Sequence, residues 1–180
     1  MSYEAVARRW ARALFDLGKE TSSLADVNKD VMSFADTWEA SDELRLVLDD
    51  PLVPEASREA ILRDIASRLG VGATATNTLR LLAQKRRLVI LPELARQLAR
   101  LTDEDANLLR AKVTSAVPLG ESYLGRLRAE LEKATGKRVA LDQAVDPALV
   151  AGVVTQIGDR VIDGSLKARL QGFRESLLRS

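Results

Sequence analysis

Apolar side chains recur every three or four residues through the first hundred positions, and the breaks between runs mark off a series of amphipathic helices. Val6, Trp10, Leu14 (with Ala13) and Leu17 share one face of the first, which Gly18 and Thr21-Ser22-Ser23 interrupt. Leu24, Val27, Val31, Phe34 and Trp38 follow at alternating spacings of three and four, with Ser23 placed to cap this second helix. Ser41 is placed to cap a short third one through Leu44, Leu46, Val47 and Leu48, and Pro51 and Pro54 bracket the break after it. A fourth carries Ile61, Leu62, Ile65 and Leu69 up to Gly70-Val71-Gly72. Thr74 or Thr76 opens a fifth with Leu79, Leu82 and Ala83, and Lys85-Arg86-Arg87 fall at its C-terminal end, where cations suit the helix dipole. The sixth starts near Pro92, with Leu91 as a hydrophobic staple, and runs through Leu94, Leu98 and Leu101. Short connections between helices of this length predict a compact bundle.

The pattern changes after about residue 108. Residues 111–117 partly alternate and stop at Pro118-Leu119-Gly120, as a strand does. Residues 121–135 return to helical spacing through Leu124, Leu127, Leu131 and Ala134, and Gly136 ends that helix. Arg138-Val139-Ala140-Leu141, residues 150–157 and residues 160–163 read as further strands, the last two split by the turn signal Gly158-Asp159. Ser165 caps a last helix through Leu166, Leu170, Phe173 and Leu177. The expected fold is mainly α: a six-helix bundle over 1–105, then a small α/β module over 106–180.

Composition narrows the chemistry. Histidine and cysteine are both absent, which removes His-based triads, His general bases, thiol nucleophiles, zinc knuckles, iron–sulfur clusters and disulfides. Aromatics are only 4%, so the core is expected to be aliphatic. Net charge is +1, but residues 1–105 carry 15 basic against 18 acidic side chains and residues 106–180 carry 12 against 8. That asymmetry suggests different partners for the two parts. The N-terminal run lacks the apolar stretch of a signal peptide, and no segment approaches the roughly 18–20 apolar residues of a membrane span. A soluble protein is expected, meeting membranes only through partners.

The candidate chemical motifs fail on inspection. Gly120-x-x-x-x-Gly125 is followed by Arg126-Leu127 rather than the Lys and Ser/Thr of a phosphate loop. Asp103-Glu104-Asp105 starts like a calcium loop, but Leu108 and Thr114 stand where Gly and Glu are needed, leaving a solvated acidic helix end as the simpler reading. Arg8, Arg9 and Arg12 form one basic patch and Lys85, Arg86 and Arg87 another, without the interleaved aromatics of a nucleic-acid surface. Trp10 and Trp38 fall on apolar stripes and are expected in the core. Trp10, however, lies in an Ala-rich helix (Ala5, Ala7, Ala11, Ala13), which suits the close approach of a partner helix.

Three stretches carry a resemblance. They are Val6-Ala7-Arg8-Arg9-Trp10-Ala11-Arg12-Ala13-Leu14-Phe15, Leu81-Leu82-Ala83-Gln84-Lys85-Arg86-Arg87-Leu88 with Leu91-Pro92-Glu93, and the run from Val145-Asp146-Pro147 through Gly152, Ile157-Gly158-Asp159-Arg160 and Asp163-Gly164-Ser165 to Arg169-Leu170. In this order they resemble the delta subunit of bacterial F-type ATP synthases, the family of the mitochondrial oligomycin-sensitivity-conferring protein. Trp10 stands where the family more often has Tyr, and Ala151-Gly152 replaces its usual paired glycines.

The resemblance implies a non-catalytic stator subunit without cofactor or metal, at the cytoplasmic face of the bacterial membrane. Its helical domain would bind the N-terminal helices of alpha subunits on the catalytic head, and its α/β module the b-type peripheral stalk. Carried onto this sequence, the docking groove lies between the first and fifth helices, with Trp10, Ala13 and Leu14 on one wall and Thr78, Leu81, Leu82 and Lys85 on the other. Gly152, Gly158, Asp159, Asp163, Gly164, Ser165 and Arg169 would build the C-terminal module through turns and caps. Two alternatives are a small RNA-binding or regulatory protein using the basic C-terminal part, and an enzyme using Asp146, Asp159 and Asp163.

Overall fold

Two compact units, Met1–Thr102 and Asp103–Ser180, make up the chain in the computed structural model. Residues 3–147, 149 and 153–157 are described, together with the backbone of 160–163. The first unit is helical: α1 (Tyr3–Glu20), α2 (Leu24–Ala40), α3 (Asp42–Asp49), α4 (Glu55–Arg68), α5 (Ala73–Gln84), a 3-10 turn (Leu88–Ile90) and α6 (Leu91–Asp105), the last crossing the division between units. One core cluster unites them. Leu14 and Phe15 of α1 belong to it together with Val31, Phe34 and Trp38 of α2, Leu62 of α4, Leu79 and Leu82 of α5, and Leu94 and Leu98 of α6. Trp38 is core, as its stripe predicts.

Gly18 does not end the first helix. It lies buried within α1, and a Cβ there would stand 2.9 Å from the Leu24 Cα. Its role is to let the start of α2 close onto the last turn of α1. Three helices then end in the same way, with a left-handed residue one position past the cap: Ser22 (φ 52), Gly70 (φ 69) and Arg86 (φ 51). In each, the next N–H reaches back to a carbonyl five residues earlier: Ser23 to Gly18, Val71 to Ala66, and Arg87 to Leu82, each 2.8 Å. Only Gly70 adopts this conformation without cost. Arg86→Gly is therefore expected to stabilise the helical unit by about 0.5–1 kcal/mol, since left-handed backbone costs an L-residue about 1–2 kcal/mol and glycine's freedom in the unfolded chain returns part of it. A raised urea midpoint checks this.

The caps divide between expected and unexpected. Ser41 Oγ accepts from the Leu44 N–H at 3.2 Å, as the sequence predicts. Beside it, Arg45 donates to the carbonyls of Trp38 (2.9 Å) and Glu39 (2.5 Å), satisfying the end of α2. Ser23 holds the cap position of α2 but makes no capping bond, because its hydroxyl pairs with that of Thr21 at 2.7 Å. Helix α5 opens at Ala73 rather than behind Thr74 or Thr76. The Gly72 N–H donates to Asp30 Oδ2 at 2.7 Å, a contact from α2 that no local pattern contains. Thr76 instead donates backwards to the Val71 carbonyl, and within the helix Thr78 does the same to that of Thr74. Leu91 is not a staple outside α6 but its first residue, fully buried.

The second unit holds β1 (Leu108–Ser115), α7 (Glu121–Thr135), β2 (Arg138–Val145), β3 (Val153–Ile157) and β4 (Arg160–Asp163). The strands form a four-stranded sheet in the order β2-β1-β3-β4. Helix α7 joins the parallel pair β1 and β2, while β3 is antiparallel to both β1 and β4. Gly136, left-handed at φ 67, ends α7 where the sequence places the stop. Strand β1 begins three residues earlier than expected, released by the left-handed turn at Asn107, whose carbonyl accepts from the Arg138 N–H at 3.0 Å. Strand β2 runs on past Leu141 to Val145, with Asp142 and Gln143 exposed on the outermost strand of the described sheet. Asp103 is not the solvated helix end its acidic neighbours suggest. Arg110 grips it through two hydrogen bonds of 2.7 and 3.1 Å, which push the guanidinium pKa further up. Gly152, Gly158, Asp159, Gly164, Ser165, Arg169 and the last predicted helix lie outside the described residues. Asp163 is described only by its backbone, at the end of β4.

Candidate functional site

Helix α1 presents two surfaces of opposite use. Ala7 and Ala11 are fully buried and let it lie close to the rest of the helical unit, while Ala13 and the arginines between them face outward. Trp10 is half-buried and packs against the core from the margin. Beside it opens a cavity of about 270 Å³ lined by Tyr3, Val6, Arg9 and Trp10 of α1 with Arg87 and Ile90. Tyr3, Val6 and Trp10 stand at i, i+3 and i+7, so the cavity follows the helical stripe one turn further towards the N-terminus than the expected groove. Tyr3 belongs to that stripe and was legible by its spacing. Arg87 and Ile90 were not, because the 3-10 turn that brings them in has no sequence period.

The expected groove residues separate by burial. Leu14 is 4% exposed, Leu82 0% and Thr78 7%, so all three belong to the interior. Trp10, Ala13, Leu81 (42% exposed) and Lys85 remain accessible to a partner. Helix α1 packs chiefly on α2 and the 3-10 turn, whereas α5 packs on α4, α2 and the same turn. Helix α2 and the turn thus support both candidate walls.

Electrostatics distinguish one acid here. Glu93 of α6 accepts from Gln97 Nε2 at 2.8 Å and from Arg96 Nε at 3.1 Å. The Gln97 bond, then Arg96 and the charge of Arg8, hold its carboxyl below the ordinary 4.5 against the opposing effect of burial. A depressed folded pKa gives stability that is present above the unfolded value and lost as pH falls through the folded one. The stability difference between the native chain and Glu93→Gln is therefore expected to shrink as pH drops below 4.5, measured by urea unfolding. A difference independent of pH would contradict this. Asp49, which burial pushes up, works with the opposite sign but cancels from the comparison.

Among the described residues no cluster of acids could hold a metal ion, and no helix is long and apolar enough to cross a membrane. What the surface offers is apolar shelf, helix faces and arginines: a protein-binding module. The comparisons agree. Residues 6–177 match the family model described as ATP synthase delta (OSCP) subunit, and the chain belongs to that family. ATP synthase subunit delta of Anaeromyxobacter dehalogenans is 40% identical over 172 residues, covering 96% of each chain. That of Desulfotalea psychrophila is 36% identical over 177 residues, covering 98% of each. In the structure of the Toxoplasma gondii mitochondrial ATP synthase hexamer, one chain superposes with a TM-score of 0.67 at 25% identity, covering 96% of this chain and 97% of that one. The protein is a structural stator subunit of ATP synthase and not a catalyst. The RNA-binding alternative finds no support in any of these matches.

Proposed function

We propose that the helical unit is a six-helix bundle that binds the N-terminal helices of alpha subunits on the catalytic head, and that residues 106–180 bind the b-type peripheral stalk. The subunit would then sit at the cytoplasmic face of a bacterial membrane, attached through the complex and free of nucleic acid. The observation that carries the first contact is the half-buried Trp10 at the rim of a 270 Å³ cavity, an aromatic anchor with room beside it. An amphipathic helix would lay its apolar anchors over Trp10, Ala13 and Leu81, with Lys85 and Arg9 at the edges. Leu14, Leu82 and Thr78 serve by fixing the walls from within. The stalk contact has its support in the family match and in the separate sheet unit.

Calorimetric titration of the full chain with a peptide of an alpha subunit's N-terminal helix tests the head contact. Trp10→Ala is expected to weaken binding about thirtyfold, the effect of removing a 2 kcal/mol anchor. Unchanged affinity in a folded variant would remove the shelf as the docking site.

A further inference from the structure

Strand β2 is the outermost strand of the described sheet, and the direction of its hydrogen bonds follows from its two ends. The Arg138 N–H donates to the Asn107 carbonyl at 3.0 Å and the Asp146 N–H to the Ser115 carbonyl at 2.9 Å, both on the β1 side. In a parallel pair the N–H and C=O of one residue face the same neighbour, and those of the next face away. Ala140, Asp142 and Ala144 therefore bond inwards, while Val139, Leu141, Gln143 and Val145 direct their backbone groups outwards. One outward donor is already used, since the Val139 N–H donates to Glu132 Oε1 of α7 at 3.0 Å. The edge from Leu141 to Val145 is left. We propose that a second copy of this chain adds to that edge, antiparallel and about a two-fold axis at Gln143.

The occupant is read from the edge itself. Outward residues must lie opposite outward residues, so the axis of a self-pairing falls on a residue and not between two. An axis on Ala140 or Leu141 needs the Val139 N–H, which Glu132 holds. An axis on Asp142 sets that residue opposite itself, and one on Ala144 sets Asp142 opposite Asp146 of the second copy. Like charges placed directly opposite destabilise a ladder.

The axis at Gln143 avoids both problems. Leu141 then meets Val145 of the second copy, twice over, and Asp142 faces Ala144. Val139 falls opposite Pro147, which has no N–H to satisfy. Leu141 is half-buried and Val145 is 47% exposed, so each Val145 gains an apolar neighbour. The interface is short, which makes the pairing reversible and confined to high concentration. Two-fold closure also stops this edge from serving as a template for open-ended pairing. The pairing concerns the free chain and does not depend on the contacts proposed above.

The test is sedimentation equilibrium of the full chain from about 10 μM to about 1 mM, with crosslinking as a second readout. The native chain is expected to pass from monomer to dimer over this range. Gln143→Lys sets two ammonium groups opposite each other and should weaken association about fivefold or more. Gln143 is exposed, so circular dichroism should show an unchanged fold. The chain has no cysteine, and Gln143→Cys therefore carries a single thiol. Across the axis the two Cα atoms stand about 5.5 Å apart, within disulfide range. Copies of Lys137→Cys, at an exposed site, place theirs roughly 40 Å apart at 3.3 Å per residue. Gln143→Cys should thus oxidise to a covalent dimer about tenfold faster than Lys137→Cys. A native chain still monomeric at about 1 mM, association unmoved by Gln143→Lys, or equal crosslinking of the two variants would overturn the proposal. So would association that Trp10→Ala abolishes, because Trp10 belongs to the helical unit.

Discussion

Leu82→Asp is expected to leave the helical unit unfolded at room temperature. Leu82 is completely buried, amid Leu79, Ala83 and the 3-10 turn residues of the same cluster. Removing a buried leucine costs about 2–5 kcal/mol, and an unpartnered carboxylate in the same place costs several more. Together they approach or exceed the roughly 5–15 kcal/mol that holds an ordinary domain folded. Loss of the helical circular dichroism signal and of a cooperative thermal transition would show it. A folded Leu82→Asp protein would mean that the side chain faces outward, as a groove residue does. The substitution therefore cannot serve as a docking mutant, and Leu81, exposed and adjacent, is the position to use.

Gly18→Val is expected to cost about 1–3 kcal/mol or more, even though glycine is a poor helix former and nearly any replacement should favour α1 on propensity alone. The added Cβ meets the Cα of Leu24, with the Leu24 Cβ and Cδ1 also within 3.3 Å. Backbone cannot swing aside as a side-chain tip can, so the corner between α1 and α2 must open. Gly125, inside α7 with nothing within 4 Å of a Cβ, is the control: Gly125→Ala should stabilise by the ordinary helix preference of about 1 kcal/mol. Urea midpoints moving in opposite directions for the two variants would establish the close approach. A stabilised Gly18→Val would refute it.

The contrast between these glycines shows what the sequence could and could not tell. Gly18 interrupts the apolar stripe of its helix and Gly125 falls within one, yet α1 and α7 run straight through them, because a helix tolerates glycine and only its neighbours in space decide the cost. Helices α2 and α7 were legible throughout, since long stripes such as Val27, Val31, Phe34 and Trp38 end at clear signals. The start of α5 was not, because Gly72 holds the cap position without a capping side chain and its N–H is tied to Asp30, 42 residues away. The extension of β2 through Asp142 and Gln143 was hidden for a different reason. On an outermost strand polar side chains carry no burial signal.

The candidate site was legible in kind but not in detail. Periodicity put Trp10, Leu14 and Leu82 on apolar faces, yet an apolar stripe spans more than 100° of a helix and does not say which members reach the interior. Leu14 and Leu82 do, and Trp10 stays at the margin. Of a basic cleft on α1 the sequence showed only Arg8, Arg9 and Arg12, because Arg100 joins their lining through packing rather than through sequence.

Reconstitution tests the central claim most directly. ATP synthase membranes depleted of their own delta subunit should hydrolyse ATP without pumping protons, and addition of this full chain is expected to restore ATP-driven proton uptake. The account predicts recovery by the native chain and a markedly weaker recovery by Trp10→Ala at limiting concentration. Failure of the folded native chain to restore coupling to a closely related complex would contradict its role as a stator subunit.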